Sequence, residues 1–246
     1  MQHEITAPAP LLNAKGNLTE PGWARSQLLQ YNRNAIKAGK LRIKEWDYYI
    51  INNQEFGVAL TVADNSYMGL ISASILDFKS ASECTTTIIK PFSLGKYNMP
   101  SDSDGDVSFS DKRSTMNFVR TPTGRNLHCS FKNFIGHDAL EVNMELEQPP
   151  MDSMVIATPF EKPRAFYYNQ KINCMRAKGT ACVGERAYKF EPANSFATLD
   201  WGRGVWTYRN TWYWGNANGI VNGHPFGFNI GYGFGDTSMA SENMLI

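Results

Sequence analysis

Residues 127–147, LHCSFKNFIGHDALEVNMELE, decide the class of fold that the sequence predicts. Apolar residues occupy every second position of the second half: Leu140, Val142, Met144 and Leu146. Such alternation places apolar side chains on one face of a strand and polar ones on the other. The first half alternates in the same way up to a turn at 136–138. The segment therefore predicts two antiparallel strands with one face in a core.

Runs of the same kind extend outward on both sides. From Trp46 onward, WDYYII, FGVALTVA and YMGLISASIL are separated by Asn52-Asn53 and Asp64-Asn65, which are turn-forming pairs. Further strands are predicted over residues 154–158, 165–175, 181–190, 195–201, 211–217 and 225–234. No strands alternate with helices, so we expect an all-β protein. Its many short antiparallel strands predict a barrel or a sandwich, since both architectures avoid exposed sheet edges.

Three parts of the chain differ in character. Residues 1–40 are rich in turn residues and predict an N-terminal arm, with one short helix over roughly Trp23 to Ala38. Pro149-Pro150 is the best candidate for a domain boundary. We therefore predict a first antiparallel β unit at 41–150 and a second at 151–246, the second lacking its closing strands.

Charge and hydropathy exclude some classes of partner. The 24 Lys and Arg residues against 23 Asp and Glu give a net charge of +1, which leaves no basic excess for nucleic acid. No run approaches the roughly 20 apolar residues of a membrane span, and the start lacks the pattern of a secretory signal. The expected location is the cytoplasm.

Neither a metal nor a cofactor is expected. The four cysteines and four histidines lack the spacing of zinc ligands. Four free thiols are the first interpretation, and a bridge between Cys174 and Cys182 across a turn at Lys178-Gly179 is the alternative. The glycines at 231, 233 and 235 do not continue as a dinucleotide-binding motif, because Asp236 stands at the place of the third glycine.

The segment 195–215, SFATLDWGRGVWTYRNTWYWG, holds four of the six tryptophans. Asp200 lies among them, and burial would raise the pKa of such a carboxyl while a neighbouring arginine would lower it. Asp200 is therefore the candidate catalytic proton donor. The alternative is a structural ion pair of Asp200 with Arg203 or Arg209.

A second unusual strand, 225–234, alternates aromatic or apolar residues with glycine or asparagine, so that one face is nearly bare. A bare face permits sharp curvature, close approach of another backbone, or a flat ligand against the sheet. Together with the tryptophan segment it supplies the candidate ligand-binding residues, namely Trp201, Arg203, Trp206, Trp212, Trp214, Phe228 and Tyr232.

Three blocks carry a resemblance to a known family: LTEPGWARSQLLQYNRNAIKAGKLRIKEWDYYII, LDWGRGVWTYRNTWYWG and GFNIGYGFGDTSMASENML. Through them the whole chain resembles the bacterial domain-of-unknown-function 2804 family. The D-W-G and W-x-W-G pieces are more distantly similar to lipocalin-like proteins related to carotenoid hydratases. This likeness implies lipocalin-like (calycin-type) barrels that bind long apolar molecules, with Asp200 matching the acid that protonates a double bond. The histidine usual beside that acid is absent, since Trp201 follows directly.

The leading hypothesis is a protein that binds an apolar or amphipathic small molecule, with hydratase- or isomerase-like proton donation by Asp200. One alternative is a carbohydrate-binding or glycoside-processing protein in which tryptophans form sugar platforms. Another is a β scaffold without a ligand. An unpaired sheet edge would further allow self-association.

Overall fold

The computed structural model describes residues 2–246, and its regular elements are almost all β-strands. The N-terminal arm contributes β1 (Ala9–Pro10), β2 (Gly22–Ala24) and β3 (Leu29–Gln30), followed by two 3-10 helices at Arg33–Ala35 and Lys40–Arg42. The next strands are β4 (Lys44–Asn52), β5 (Phe56–Asp64), β6 (Met68–Asp77), β7 (Ser82–Pro91), β8 (Val107–Ser110), β9 (Ser114–Thr121), β10 (Gly124–Ile135) and β11 (Asp138–Glu147). The last are β12 (Met154–Pro159), β13 (Phe166–Val183), β14 (Arg186–Phe190), β15 (Phe196–Val205), β16 (Tyr213–Val221), β17 (His224–Tyr232) and β18 (Met244–Leu245).

Thirteen strands form one sheet with the central order β7-β6-β5-β4-β15-β13-β11-β10-β9-β8. The sheet curls, so that Tyr49 of β4 packs against Phe118 of β9 with ring centroids 4.8 Å apart. At the edge, Thr86 Oγ1 of β7 donates a hydrogen bond to the carbonyl of Phe134 in β10. The apolar faces predicted from alternation meet inside this curl, and the all-β prediction is confirmed.

A separate three-stranded sheet, β16-β17-β18, lies against the large one. In β17 the bare face turns toward β13, where a Cβ on Gly227 would lie 3.0 Å from the sulfur of Cys174. Gly227 therefore permits close approach of the two sheets, since a side chain at this position would separate them.

The arm differs from the sequence prediction. The helix expected over roughly Trp23 to Ala38 does not form, because Gly22–Ala24 pairs with β12 and only two 3-10 turns follow. Pro149-Pro150 lies between β11 and β12, and strands from both sides of it belong to the large sheet. Whether 41–150 and 151–246 fold as separate units stays a prediction.

The predicted turn at Lys178-Gly179 is also wrong. β13 runs without interruption through these residues and turns only after Val183. Gly179 serves packing, because a Cβ at this position would collide with the carbonyl of Asn143 in β11. Cys174 and Cys182 therefore lie on one continuous strand, and both are free thiols.

Charged side chains fill one part of the curl's interior. Arg203 is fully buried and its Nη2 lies 2.9 Å from Asp47 Oδ1. Arg33, from the arm, pairs with the buried carboxylate of Glu45, to which Tyr31 donates a 2.7 Å hydrogen bond. Burial raises the pKa of both Asp47 and Glu45, opposed by the arginines. Within residues 2–246, no helix is long and apolar enough to cross a membrane.

Candidate functional site

A cleft of about 460 Å³ lies on the outer face of the large sheet, between that face and the segment that carries the three-stranded sheet. Half of the residues around it are aromatic. Its lining consists of Trp46, Tyr48, Thr61, Ala63, Asn65, Leu70, Tyr167, Lys171, Asp200, Trp206, Trp212, Trp214, Phe234 and Glu242. This size and composition are typical of sites for small apolar ligands.

The floor of the cleft is a row of side chains across neighbouring strands. Lys171 of β13 stands opposite Asp200 of β15, which stands opposite Tyr48 of β4. Tyr48 in turn stands opposite Thr61 of β5. Directly opposed residues point to the same face of a sheet, so four residues far apart in sequence form one continuous polar strip.

A glycine gives the cleft its flat aromatic side. Gly202 follows Asp200 on the same face of β15 and pairs with Trp46. A Cβ at Gly202 would collide with the Trp46 indole, which lies over this position. The indole also stacks on Tyr167, with ring centroids 5.8 Å apart and planes inclined by 19°. The D-W-G sequence thus makes room for an aromatic from the next strand.

Phe234 organises the opposite wall. Its ring packs edge-on against Tyr167, Trp206 and Trp212, with centroids 4.6, 5.4 and 5.3 Å away. Trp214 packs edge-on against Tyr48 at 6.0 Å. These contacts hold Trp206 and Trp212 of the connection before β16, and Trp214 of β16 itself, over the sheet. Edge-to-face packing of this kind adds to the stability from burial alone.

An ion pair lies at the centre of the polar strip. Lys171 Nζ is 2.8 Å from Asp200 Oδ1, and the two side chains are only 2% and 14% exposed. Asn169 Nδ2 donates a 2.6 Å hydrogen bond to the same carboxylate oxygen. The ammonium group also lies 4.8 Å from the centre of the Trp214 ring, a cation–π contact. Asp200 is therefore held as an acceptor of two hydrogen bonds.

Glu242 is the second carboxyl group of the cleft. It is 4% exposed, and burial raises its pKa against the opposing effect of Lys171. Its side chain lies over Gly231, where a Cβ would collide with it. The neighbouring Tyr167 hydroxyl has a pKa well above its ordinary value because of burial and the Glu242 charge. Two carboxyls in different environments thus share one cleft.

The structure brings together four of the eight residues singled out from the sequence: Asp200, Trp206, Trp212 and Trp214. Trp201 and Arg203 alternate with Asp200 along β15 and point into the interior. Trp201 is fully buried there against Tyr168, with ring centroids 5.5 Å apart. Arg203 pairs with Asp47 instead of Asp200, so these two residues lie away from the cleft.

Phe228 and Tyr232 lie on the aromatic face of β17, whereas Gly231 lies on the face toward Glu242. Tyr232 is 77% exposed. The sequence interpretation grouped the aromatic and the glycine faces into one site, but residues at odd and even positions point in opposite directions. Neither Phe228 nor Tyr232 lines the cleft.

Sequence reasoning missed Lys171, Tyr48 and Glu242. Lys171 had a usable signal, because it is the only charged residue in the strand segment FYYNQKINCM, and a lone charge in a buried run needs a partner. Glu242 had none, since it lies in an irregular segment near residue 246. No three His, Cys, Asp or Glu side chains of the described chain converge in a way that could hold a metal ion.

Comparisons with known proteins agree with this architecture. A family model described as a domain of unknown function, DUF2804, matches residues 2–246. The crystal structure of a protein described as a candidate AttH from Nitrosomonas europaea aligns with 92% of this chain and 68% of its own, at 12% identity and a TM-score of 0.52. The sequence matches no curated protein.

Two further solved structures align more loosely. Kievitone hydratase from Nectria haematococca is 10% identical over 82% of this chain and 60% of its own, with a TM-score of 0.49. CghA is 9% identical over 97% of this chain and 65% of its own, with a TM-score of 0.42. This chain thus spans about two thirds of the length of these structures. The fold that this chain shares with the candidate AttH structure is lipocalin-like.

Proposed function

Because this chain belongs to the DUF2804 family, whose description gives no activity, we propose its function from the cleft: it binds an apolar or amphipathic small molecule there. The observation that carries the proposal is a 460 Å³ cleft in which seven of fourteen lining residues are aromatic, with the polar strip of Lys171, Asp200, Tyr48 and Thr61 along its floor. Apolar walls supply affinity, and a few fixed polar groups orient the ligand.

The interior of the curl is a poorer candidate for the ligand site. Its centre is occupied by large, fully buried side chains, among them Trp201, Tyr49 and Tyr168, and by the Arg203–Asp47 pair. Emptying such a packed interior would cost several kcal/mol, on the order of 2 to 5 for each large side chain displaced. The outer cleft needs no such rearrangement.

A sugar is a weaker candidate than an apolar ligand. Glu242 does supply the second carboxyl that glycoside hydrolysis requires beside Asp200. However, a sugar ring carries hydroxyl groups on most of its carbons, and buried polar groups need partners. The walls of the cleft offer mainly aromatic carbon atoms, which cannot hydrogen-bond these hydroxyl groups, from Trp46, Trp206, Trp212 and Phe234.

A second candidate function is proton transfer to the bound molecule, favoured by the two carboxyls. Carboxyls whose environments differ are suited to separate acid and base roles. Glu242, with its raised pKa, would give its proton to one carbon of an isolated double bond and leave a carbocation at the other. Asp200, which the sequence predicted as the proton donor, takes the other role here because its carboxyl oxygen already accepts hydrogen bonds from Lys171 and Asn169. Its carboxylate would stabilise the positive charge and accept a proton from the water that adds to it. The product is an alcohol. Glu242 then takes up a proton from the solvent and Asp200 releases one to it, which restores both groups.

Binding is tested by calorimetric titration and thermal shift with retinol, 1-decanol and maltotriose. We expect the first two to bind and to raise the melting temperature. Thr61→Trp should fill the cleft and abolish binding. Thr87→Trp is the matched control, because Thr87 continues the same row through Ser72 but lies outside the cleft. Binding of maltotriose alone, or equal binding by both variants, would overturn the proposal.

Proton transfer is tested by incubating the protein with geraniol, which has isolated double bonds, in heavy water. Mass spectrometry then detects added deuterium and added water. Glu242→Gln and Asp200→Asn should each lose product while still binding geraniol. If the native protein binds geraniol but yields neither product, the second candidate fails and the binding function stands.

A further inference from the structure

A second groove, of about 640 Å³, adjoins the cleft and shares Trp206 and Trp212 with it. It has a different chemical character from the cleft. Three cationic residues line it, namely Arg42, Lys44 and Lys162, and none of its lining residues is acidic. The groove thus forms a basic end to the largely aromatic cleft.

Backbone register fixes where the basic end lies. Lys44, Trp46 and Tyr48 occupy alternate positions of β4, so their side chains point to the same face. Lys44 is opposite Gly204, and Tyr48 is opposite Asp200. At the usual rise of a strand, Lys44 and Tyr48 are separated by about 13 Å along β4. Trp46 lies between Lys44 and the polar strip.

The Lys44 ammonium group is confined but lacks an anionic partner. Nζ lies 4.4 Å from the centre of the Tyr67 ring and 5.3 Å from that of Trp206. Burial lowers the pKa of Lys44, and the positive charge of Arg42 lowers it further. In residues 2–246, no carboxylate oxygen lies within 4.0 Å of Lys44, Arg42 or Lys162.

Lys44 and Arg42 are half-buried and Lys162 is exposed, whereas the fully buried cations Lys171 and Arg203 are paired. Lys171 contacts Asp200 and Arg203 contacts Asp47, at 2.8 and 2.9 Å. This is the usual outcome, because a desolvated charge without a counter-charge is costly. Arg42 is held in place by a 3.0 Å hydrogen bond from Nη2 to the Trp206 carbonyl, and its other donors stay available. The three cations together therefore form an anion site beside an apolar one.

We propose that the groove of Arg42, Lys44 and Lys162 binds the anionic head group of an amphiphile whose apolar body lies in the cleft. This rests on the proposed binding function and deepens it to a ligand class: molecules with a carboxylate, sulfate or phosphate at one end and a long apolar portion. The ligand lies along β4, with its anion at Lys44 and its apolar body over Trp46. Its far part then reaches the row of Tyr48, Asp200 and Lys171.

The test compares three probes of equal chain length below their micellar concentrations: decanoate, 1-decanol and decyltrimethylammonium. Calorimetric titration measures each dissociation constant at two salt concentrations. We expect decanoate to bind about tenfold more tightly than decanol, the usual size of one charge-assisted contact. Decyltrimethylammonium should bind most weakly. The preference for decanoate should shrink at high salt.

The Lys44→Met variant keeps the length of the side chain and removes its charge. It should lose the preference for decanoate while binding decanol as the native protein does, which also shows that it is folded. Lys162→Met, at an exposed position, should lose part of the preference. Lys189→Met is the control, since Lys189 is exposed on β14, outside both grooves.

The outcomes separate the two proposals. If no decyl probe binds, the binding function itself fails. If decanol and decanoate bind equally and Lys44→Met changes neither, the cleft binds apolar molecules but the anion site is overturned. If Lys189→Met reduces decanoate binding as much as Lys44→Met, the effect is one of net charge and the groove is again excluded.

Discussion

Lys171 and Asp200 face each other across β13 and β15 with 2.8 Å between Nζ and Oδ1. Lys171 acts on both carboxyl groups of the cleft. It pairs with Asp200, and its positive charge opposes the rise that burial causes in the Glu242 pKa. The pair is thus a structural support of the cleft, and in the proposed proton transfer Asp200 has a second role. The two roles respond differently to substitution.

Asp200→Asn should lower the free energy of unfolding by about 3 kcal/mol, because it leaves the Lys171 ammonium buried with a weaker partner. The double variant Asp200→Asn/Lys171→Met should recover most of this loss, since it removes the unpaired charge. Urea denaturation of the two single variants and the double variant measures the coupling. Additive losses would show that the pair contributes little.

Arg203→Met should cost about 3 to 5 kcal/mol and leave ligand binding by the folded fraction unchanged. The buried Asp47 would lose its counter-charge, and the carbonyls of Trp46 and Pro100 would lose a donor. Guanidinium denaturation and decanol titration check the two parts of this prediction. A stable variant with impaired binding would return Arg203 to the ligand site predicted from the sequence.

Gly202→Ala should displace the Trp46 indole and weaken decanol binding, with a cost in stability of about 1 to 3 kcal/mol from overpacking. Gly219→Ala on β16 is the control, because no atom lies within 4 Å of a Cβ built there. Near-ultraviolet circular dichroism reports the tryptophan environment. Identical spectra and affinities for the two variants would contradict the placement of Trp46.

The free energy of unfolding of the Glu242→Gln variant, relative to that of the native protein, should increase as the pH rises. A carboxyl with a raised folded pKa contributes stability below its unfolded pKa, near 4.3, that is lost as the pH rises through the folded pKa. Tyr167, Lys171 and Asp200 are the groups around it. Unfolding free energies of both proteins from pH 4 to 8 test this sign. A difference that is constant with pH would refute it.

Much of the fold could be predicted because alternation is a local property. The polar and apolar faces of β10 and β11 follow from the order of residues alone. The same rule, applied to β15, separates Asp200 from Trp201 and Arg203, but the sequence interpretation placed all three in one site. The errors had local causes as well. The segment 22–38 has weak helical patterning that strand pairing with β12 overrides, and Gly179 resembles a turn residue but serves close packing.

By itself, the sequence determined the all-β class, most strands and the aromatic segment that holds Asp200. Only the tertiary structure decided that the cleft lies outside the curl, that Lys171 and not an arginine pairs with Asp200, and that Glu242 joins them. The physical reason is the separation in sequence of the residues that interact. A period of two fixes which residues share a face, but the neighbour of each face is set by pairings such as β4 with β15, about 150 positions apart, and these depend on how the whole sheet buries its surface.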